Sequence, residues 1–117
     1  MMVIYGLKNC DSCRRVVSLF EDAGHSYRFH DLRADGLPEK RLSAWLTAVG
    51  WEALLNRRST TWRGLPERDK SGLDEAKAAR LMVQHPALIK RPVVETGEGL
   101  VVGFATEQQA ALKALLA

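Results

Sequence analysis

The chain has 117 residues, of which 46% are hydrophobic and 26% charged, and this balance predicts one globular domain with its own core. No apolar run approaches the roughly eighteen residues of a membrane-spanning helix, so we expect no membrane insertion. The formal charge of +3 is mild, and the scattered basic residues do not form the aromatic-interleaved patch that is typical of nucleic-acid binding.

The chain opens with a predicted strand, helix and second strand. Residues 2–5 are apolar and end at Gly6, as expected of a buried strand. From Asp11 to Gly24 apolar residues recur at helical spacing, and residues 27–32 then alternate between apolar and polar. This order predicts a βαβ unit with parallel strands and a right-handed crossover.

The middle of the chain is predicted to be a helical block that spans residues 38–85. Its first helix has Leu42, Trp45, Leu46 and Val49 on one face and ends at Gly50. Residues 51–55 predict a short helix, whereas residues 56–63 have no apolar period and predict a loop.

The block ends with another predicted helix. The charged residues 67–70 predict a solvated connection in front of it. Ser71 and Asp74 resemble a capping box, and the helical pattern continues from there as far as Pro86.

The last third of the chain returns to strands. Residues 92–95 and 100–104 predict a β-hairpin whose four-residue connection is formed by residues 96–99. Thr106 and Gln109 match a second capping box, which predicts a closing helix after the hairpin.

The only two cysteines, Cys10 and Cys13, lie at the junction of the first strand and helix. The unpaired N–H groups of a helix N-terminus favour an anion, and Lys8, Arg14 and Arg15 add positive charge nearby. A Cys-x-x-Cys cysteine in such surroundings has a lowered pKa. Cys10 is therefore the candidate nucleophile, and Cys13, one helical turn later, is the candidate resolving thiol.

The cysteine pair has other possible roles. A zinc site needs four ligands, and His25, His30 and His85 show no ligand spacing, so we expect no metal. A structural disulfide that closes so short a loop removes little chain entropy. Two inert cysteines remain an open alternative.

The element order and the Cys-x-x-Cys position together predict the fold class. The order βαβ, helical block, ββα is the thioredoxin-like α/β arrangement with a mixed four-stranded sheet. We expect a single domain of residues 1–117, with a helical insertion at about residues 38–85. No secretory signal is visible and a reversible dithiol suits a reducing compartment, so we expect a cytoplasmic protein. No heptad or long apolar stripe is present, so we expect a monomer.

Four segments of the chain carry a family resemblance. In chain order they are GLKNCDSCR (residues 6–14), WEALLNR (51–57), TTWR (60–63) and HPALIKRP (85–92). The chain thereby resembles the ArsC-like family, which includes glutaredoxin-coupled arsenate reductases, YffB-type proteins and Spx-type regulators. Residues 27–31 and the TTWR segment most resemble the YffB branch.

The resemblance implies roles for particular residues. Cys10 matches the nucleophilic cysteine, and Arg91 matches the arginine that helps to hold the oxyanion in the arsenate reductases. Pro92 matches a proline expected in the cis form, facing the active-site cysteine. The candidate substrate-binding residues are Lys8, Asn9, Arg14, Arg57, Arg91 and Pro92.

The chain departs from the arsenate reductase pattern at three places. Asn56 stands where those enzymes carry an arginine, with Arg57 only adjacent, and a further arginine is replaced around residues 102–104. Cys13 stands where they usually have serine, so an intramolecular disulfide is available here. These departures weaken the case for arsenate reduction.

The function expected from the sequence is a thiol-disulfide oxidoreductase of the ArsC-like/YffB type. Cys10 is the nucleophile, no cofactor is bound, and glutathione is the expected co-substrate, with glutaredoxin as a further partner. Lys8, Arg57 and Arg91 are expected to receive the anionic groups of glutathione or of a small-molecule or protein disulfide. The alternatives are a glutaredoxin-coupled arsenate reductase and an Spx-like redox sensor that binds RNA polymerase.

Overall fold

The computed structural model describes residues 1–117. Its elements, in chain order, are β1 (Met2–Gly6), α1 (Asp11–Asp22), β2 (Tyr27–Asp31), α2 (Glu39–Val49), α3 (Trp51–Leu54), α4 (Thr60–Arg63), α5 (Glu67–Lys70), α6 (Glu75–Gln84), a 3-10 turn (Pro86–Leu88), β3 (Val93–Thr96), β4 (Gly99–Val102) and α7 (Thr106–Leu116). No helix among them is long and apolar enough to cross a membrane.

The chain divides into two compact units. Met1–Gly36 and Arg91–Ala117 form one, which we call the sheet unit, and Leu37–Lys90 form the other, the helical unit. The division falls close to the expected insertion of residues 38–85, and the single-domain assignment stays a prediction.

The sheet has the strand order β2-β1-β3-β4. β1 and β2 are parallel, so Met2 lies beside Tyr27 and Gly6 beside Asp31. β3 runs antiparallel to both of its neighbours, β1 and β4. The expected thioredoxin-like α/β fold with a mixed four-stranded sheet is thus confirmed.

The core of the sheet unit is formed by helix residues packed against strand residues. In α1 the buried residues Cys13, Val16 and Phe20 recur at helical spacing and so share one face. Burying each such apolar side chain contributes about 1.5–3 kcal/mol. The central cluster consists of Ile4, Val16, Phe20, Val94 and Leu112.

The helical unit has its own buried residues. Trp45 is fully buried, while Trp51 stays partly exposed. Leu55 and Ile89 form an isolated antiparallel bridge that ties the end of α3 to the segment after α6. Buried apolar residues in this unit are Leu42, Trp45, Leu46, Leu54, Leu55, Ala78, Leu81, Met82, Leu88 and Ile89.

The prediction of a loop over residues 56–63 is wrong, because α4 occupies Thr60–Arg63. The Ser59 hydroxyl accepts the backbone N–H of Trp62 at 3.1 Å and so caps this helix. A single helical turn is too short to show an apolar period, so the sequence pattern did not reveal it.

The region before α6 also differs from the prediction. Residues 67–70 form α5 rather than a plain connection, and Ser71 is the residue that ends it. The helix α6 begins after Asp74, whose carboxylate accepts the backbone N–H of Lys77 at 2.8 Å. The capping box predicted from Ser71 is therefore wrong, since Asp74 itself is the N-cap.

The hairpin is tighter than predicted. Thr96 pairs with Gly99, so the connection has two residues, Gly97 and Glu98, and not four. The Thr96 hydroxyl donates to the carbonyl of Gly99 and accepts the N–H of Glu98, both at 3.1 Å. This side chain stabilises the turn and extends the pairing by one residue pair.

The start of α7 lacks the predicted capping box. Its N-cap is Ala105, which has no capping side chain, and Thr106 is the first helical residue. The Gln109 side chain instead donates from Nε2 to the carbonyl oxygen of Phe104 at 3.0 Å. The helix therefore begins one residue earlier than the capping pattern predicted, and without its hydrogen bonds.

Candidate active site

Cys10 is the N-cap of α1. Its backbone is extended, and its carbonyl accepts the first helical bond, from the N–H of Arg14 at 3.0 Å. Partial burial raises the pKa of Cys10. Hydrogen bonds from the Cys13 N–H and thiol, the charge of Arg91 and the Ser12 N–H outweigh it and hold the pKa below its ordinary value of 9.0. These surroundings thus favour the thiolate form of Cys10.

Cys13 lies inside the sheet unit and has the opposite character. Its side chain is only 1% exposed, and both cysteines are free thiols. Its pKa is raised to about 12, mainly by burial and also by the hydrogen bond and charge of Cys10, although the Leu7 backbone and Arg91 act in the other direction. The motif therefore pairs one easily ionised sulfur with one protonated donor.

Arg91 and Pro92 lie at the start of β3. The peptide bond between them is cis, as the family resemblance implies for Pro92. Val93 pairs with Tyr5 in the antiparallel register, which brings Pro92 towards Gly6 at the end of β1, where the cysteine loop leaves the sheet. Arg91 lowers the pKa of both cysteines, and its buried Nε has no hydrogen-bond partner. Arg91 therefore places a positive charge beside Cys10.

The loop between β1 and α1 is fixed by backbone hydrogen bonds. The N–H of Lys8 donates to the carboxylate of Asp31 at 3.2 Å, and the N–H of Cys10 donates to the carbonyl of Leu7 at 3.2 Å. Arg14 donates from Nε to the Lys8 carbonyl, also at 3.2 Å. Lys8, Arg14 and the neighbouring Asn9 are exposed, so these candidate binding side chains lie at the surface of the loop.

Asp31 is a site residue that the sequence reasoning did not single out. It is 6% exposed, and it accepts the N–H groups of Arg33 at 2.8 Å and Ala34 at 2.9 Å as well as that of Lys8. The Ala34 hydrogen bond is the largest cause of its lowered pKa. An aspartate at the end of a strand and before a turn is the signal that could have revealed this role.

The remaining candidate, Arg57, belongs to the helical unit. Its guanidinium carbon lies 5.4 Å from the ring centroid of Trp51, within the range of a cation–π interaction. The Asn56 side chain accepts the N–H of Arg58 at 3.0 Å. The structure therefore brings Cys10, Cys13 and Arg91 together in the sheet unit, whereas Arg57 belongs to the helical unit.

Metal chemistry has no support in the described side chains. No group of three or more His, Cys, Asp or Glu residues is positioned to hold a metal ion.

The sheet order, the helix that begins at Cys10 and the cis proline before β3 define a thioredoxin-like protein with a Cys-x-x-Cys motif. Comparison with known families identifies the group within this class. Residues 5–112 match the model of the ArsC family, and the chain belongs to that family.

Individual relatives match over most of their length. An uncharacterized protein of Haemophilus influenzae is 39% identical over 104 residues, which cover 89% of this chain and 91% of the relative. A protein named global transcriptional regulator Spx 2, from Bacillus anthracis, is 25% identical over 111 residues, covering 92% and 83%.

Solved structures agree with this assignment. A structure named YFFB protein superposes with a TM-score of 0.88 at 41% identity and covers 96% of this chain and 98% of its own. An arsenate reductase (ArsC) related protein from Brucella melitensis gives a TM-score of 0.75 at 44% identity, covering 94% and 92%. The expected ArsC-like membership and likeness to YffB are confirmed.

Proposed function

We propose that this protein is a cytoplasmic thiol-disulfide oxidoreductase that uses glutathione as co-substrate, with Cys10 as the nucleophile. The observation that supports it most is the opposite shift of two pKa values within one motif. Cys10 ionises more easily than an ordinary cysteine, while the pKa of Cys13 is raised to about 12. Perturbed pKa values of this kind concentrate at functional sites.

The first proposed step is attack of the Cys10 thiolate on one sulfur of a disulfide. The Cys10–sulfur bond forms as the substrate S–S bond breaks, and the other half of the substrate leaves as a thiolate that takes a proton from water. The hydrogen bonds from Cys13 and the charge of Arg91 lower the pKa of Cys10 and so supply the thiolate for this attack.

The second step regenerates the Cys10 thiolate, and we propose that glutathione performs it. Where the mixed disulfide holds a glutathionyl group, a second glutathione thiolate attacks that sulfur. Glutathione disulfide forms and Cys10 leaves as a thiolate, so the net reaction consumes one glutathione thiol and releases the other half of the substrate as a thiol.

Release by Cys13 is the slower route in this proposal. Cys13 must first lose its proton, and burial is the main cause of its high pKa. The Cys10 charge that also raises this pKa disappears in the mixed disulfide, but the burial stays. Attack by Cys13 on the Cys10 sulfur would expel the bound half as a thiol and leave a Cys10–Cys13 disulfide for glutathione to reduce.

Cations are proposed to receive the carboxylates of glutathione. The buried Nε of Arg91 has no partner in the protein, so binding an anion there adds a hydrogen bond that the protein lacks. Lys8 is exposed beside the cysteine loop and can add a second contact. We propose Asn9, Arg14, Arg57 and Pro92 as further binding residues, of which Pro92 matches a family position.

Arsenate reduction with glutaredoxin is the second candidate, because the same Arg91 donor suits an oxyanion. The relative from Brucella melitensis is named an arsenate reductase (ArsC) related protein. Asn56 and residues 102–104 lack the other arginines, which favours the disulfide substrate. The relatives named Spx make a regulator the third candidate, to be tested by co-purification with RNA polymerase subunits.

A turnover assay tests the proposal. The protein is given the mixed disulfide of glutathione and 2-mercaptoethanol, and glutathione disulfide production is followed with glutathione reductase and NADPH. We expect turnover that Cys10→Ser abolishes and that Cys13→Ser largely keeps. Absence of turnover in the unmodified protein, or activity that survives Cys10→Ser, would refute the proposal. Arsenate in place of the disulfide, with glutaredoxin added, tests the second candidate.

A further inference from the structure

A groove of about 240 Å³ opens in the sheet unit between α1 and the edge strand β2. Apolar side chains form its walls: Leu7 from the cysteine loop, Val17 from α1, and Tyr27 and Phe29 from β2. All four are partly exposed, so the groove is open to solvent. We call it the α1–β2 groove.

The inner end of the α1–β2 groove is formed by Cys13. Gly6, beside it on β1, has no side chain, and a methyl group there would overlap the Cys13 sulfur and lie 3.7 Å from the ring of Phe29. The glycine thus makes room for the sulfur next to Phe29. The wall at this end is a weakly polar thiol, which suits an apolar ligand.

The rim of the groove carries two positive charges, on Lys8 and Arg14. Both side chains are exposed and neither has an ion-pair partner in the structure, whereas the adjacent Arg15 pairs with Asp11 at 3.2 Å. Arg14 donates from Nε to the Lys8 carbonyl, which holds its guanidinium at the rim. The terminal nitrogens of Arg14 are therefore oriented and available to an anion.

We propose that the α1–β2 groove binds a small carboxylate with an apolar body, the body lying against Val17 and Phe29 and the carboxylate against Lys8 and Arg14. The groove has about the volume that eight water molecules occupy in the liquid. This size suits an arylacetate or a short fatty acid and not a drug-sized molecule. This site shares Lys8 and Arg14 with the proposed glutathione contacts and Cys13 with the proposed redox pair, but binding there requires no reaction at either sulfur.

Phenylacetate and its neutral analogue phenylacetamide are the probes for this proposal. Backbone amide shifts of the reduced protein are followed by NMR during titration with each. We expect saturable shifts at residues 7, 17 and 29 with phenylacetate, with a Kd on the order of 1 mM, as expected of so small a ligand. Phenylacetamide is expected to bind about threefold to fivefold more weakly, since it lacks the charge.

Matched arginine variants test the rim. Arg14→Gln should lower the affinity for phenylacetate about threefold to fivefold. Arg15→Gln, one residue away and outside the groove, should leave this affinity unchanged. Three results would overturn the proposal: no saturable shifts at the groove residues, equal affinities for the acid and the amide, or equal weakening by the two variants.

Discussion

The sulfur of Cys13 packs directly against the backbone of Gly6, so closely that a methyl group on Gly6 would overlap it. This contact lets the buried thiol lie at the end of β1, one helical turn from Cys10. The glycine that ends the first strand is therefore part of the redox site, because it creates the space in which the second sulfur remains protonated.

Gly6→Ala should force Cys13 out of this position. Overpacking of this kind costs about 1–3 kcal/mol of unfolding free energy, and the displaced thiol should react faster with an alkylating reagent. Urea unfolding measures the first effect and alkylation of a Cys10→Ser background the second. Gly97→Ala, in the hairpin turn with nothing within 4 Å, is the control. Equal effects of the two substitutions would contradict the packing argument.

Arg91→Ala should raise the pKa of Cys10, because the thiolate loses a positive charge that lowers it. The pH dependence of iodoacetamide alkylation measures the change. Arg15→Ala removes an equally charged side chain that is 65% exposed and paired with Asp11, and should leave the profile in place. An unchanged profile in Arg91→Ala would show that Arg91 does not support the thiolate.

Asp31→Asn should loosen the cysteine loop. The carboxylate offers two oxygens to the N–H groups of Lys8, Arg33 and Ala34, and asparagine has only one acceptor oxygen. Hydrogen exchange at the Lys8 amide should therefore become faster. Asp22→Asn, at the exposed end of α1, should leave this exchange unchanged. If both substitutions changed the exchange rate of the Lys8 amide equally, the role of Asp31 would be contradicted.

The same substitution changes the response of stability to acid. The pKa of Asp31 is lowered from 3.8 by folding, mainly through the Ala34 N–H. Its stabilising contribution is thus complete above pH 3.8 and is lost as the pH falls through the lower folded-state pKa. The melting temperature, followed from pH 5 downward to about pH 2, should fall less in Asp31→Asn than in the unmodified protein. Parallel curves would exclude this linkage.

Asp74→Ala should cost about 1 kcal/mol of unfolding free energy, because it removes the acceptor for the Lys77 N–H at the start of α6. Ser71→Ala is the matched control, since Ser71 ends α5 and does not cap α6. Chemical unfolding of both variants decides between the two caps. A larger loss from Ser71→Ala would restore the capping box that the sequence pattern favoured.

The βαβ opening and the hairpin could be predicted because long apolar patterns determine them. Residues 2–5 are apolar throughout, and the helical face of α1 keeps one period. The structure follows these two patterns to Gly6 and Asp22. The errors fall where structure depends on single hydrogen bonds. Ser59, Asp74 and Thr96 each bond a nearby backbone group, and such a bond leaves no period in the sequence.

The candidate site shows the same division. Cys10 and Cys13 could be placed because a motif at a strand-helix junction has a local meaning. Gly6 and Asp31 could not, since the role of Gly6 depends on its contact with Cys13 of α1, and that of Asp31 on the parallel register that places it beside Gly6. That neighbourhood joins residues 25 positions apart in the chain, and no local pattern encodes it.

The most direct test of the central claim is the ionisation of the two sulfurs in one protein. Trypsin releases both in the peptide of residues 9–14, so tandem mass spectrometry can follow iodoacetamide labelling of Cys10 and Cys13 separately across pH. We predict a labelling midpoint for Cys10 below pH 9.0 and almost no labelling of Cys13 over the same range, in line with its pKa of about 12. Two coincident profiles centred near pH 9.0 would mean that the fold does not distinguish the sulfurs, and would contradict the claim.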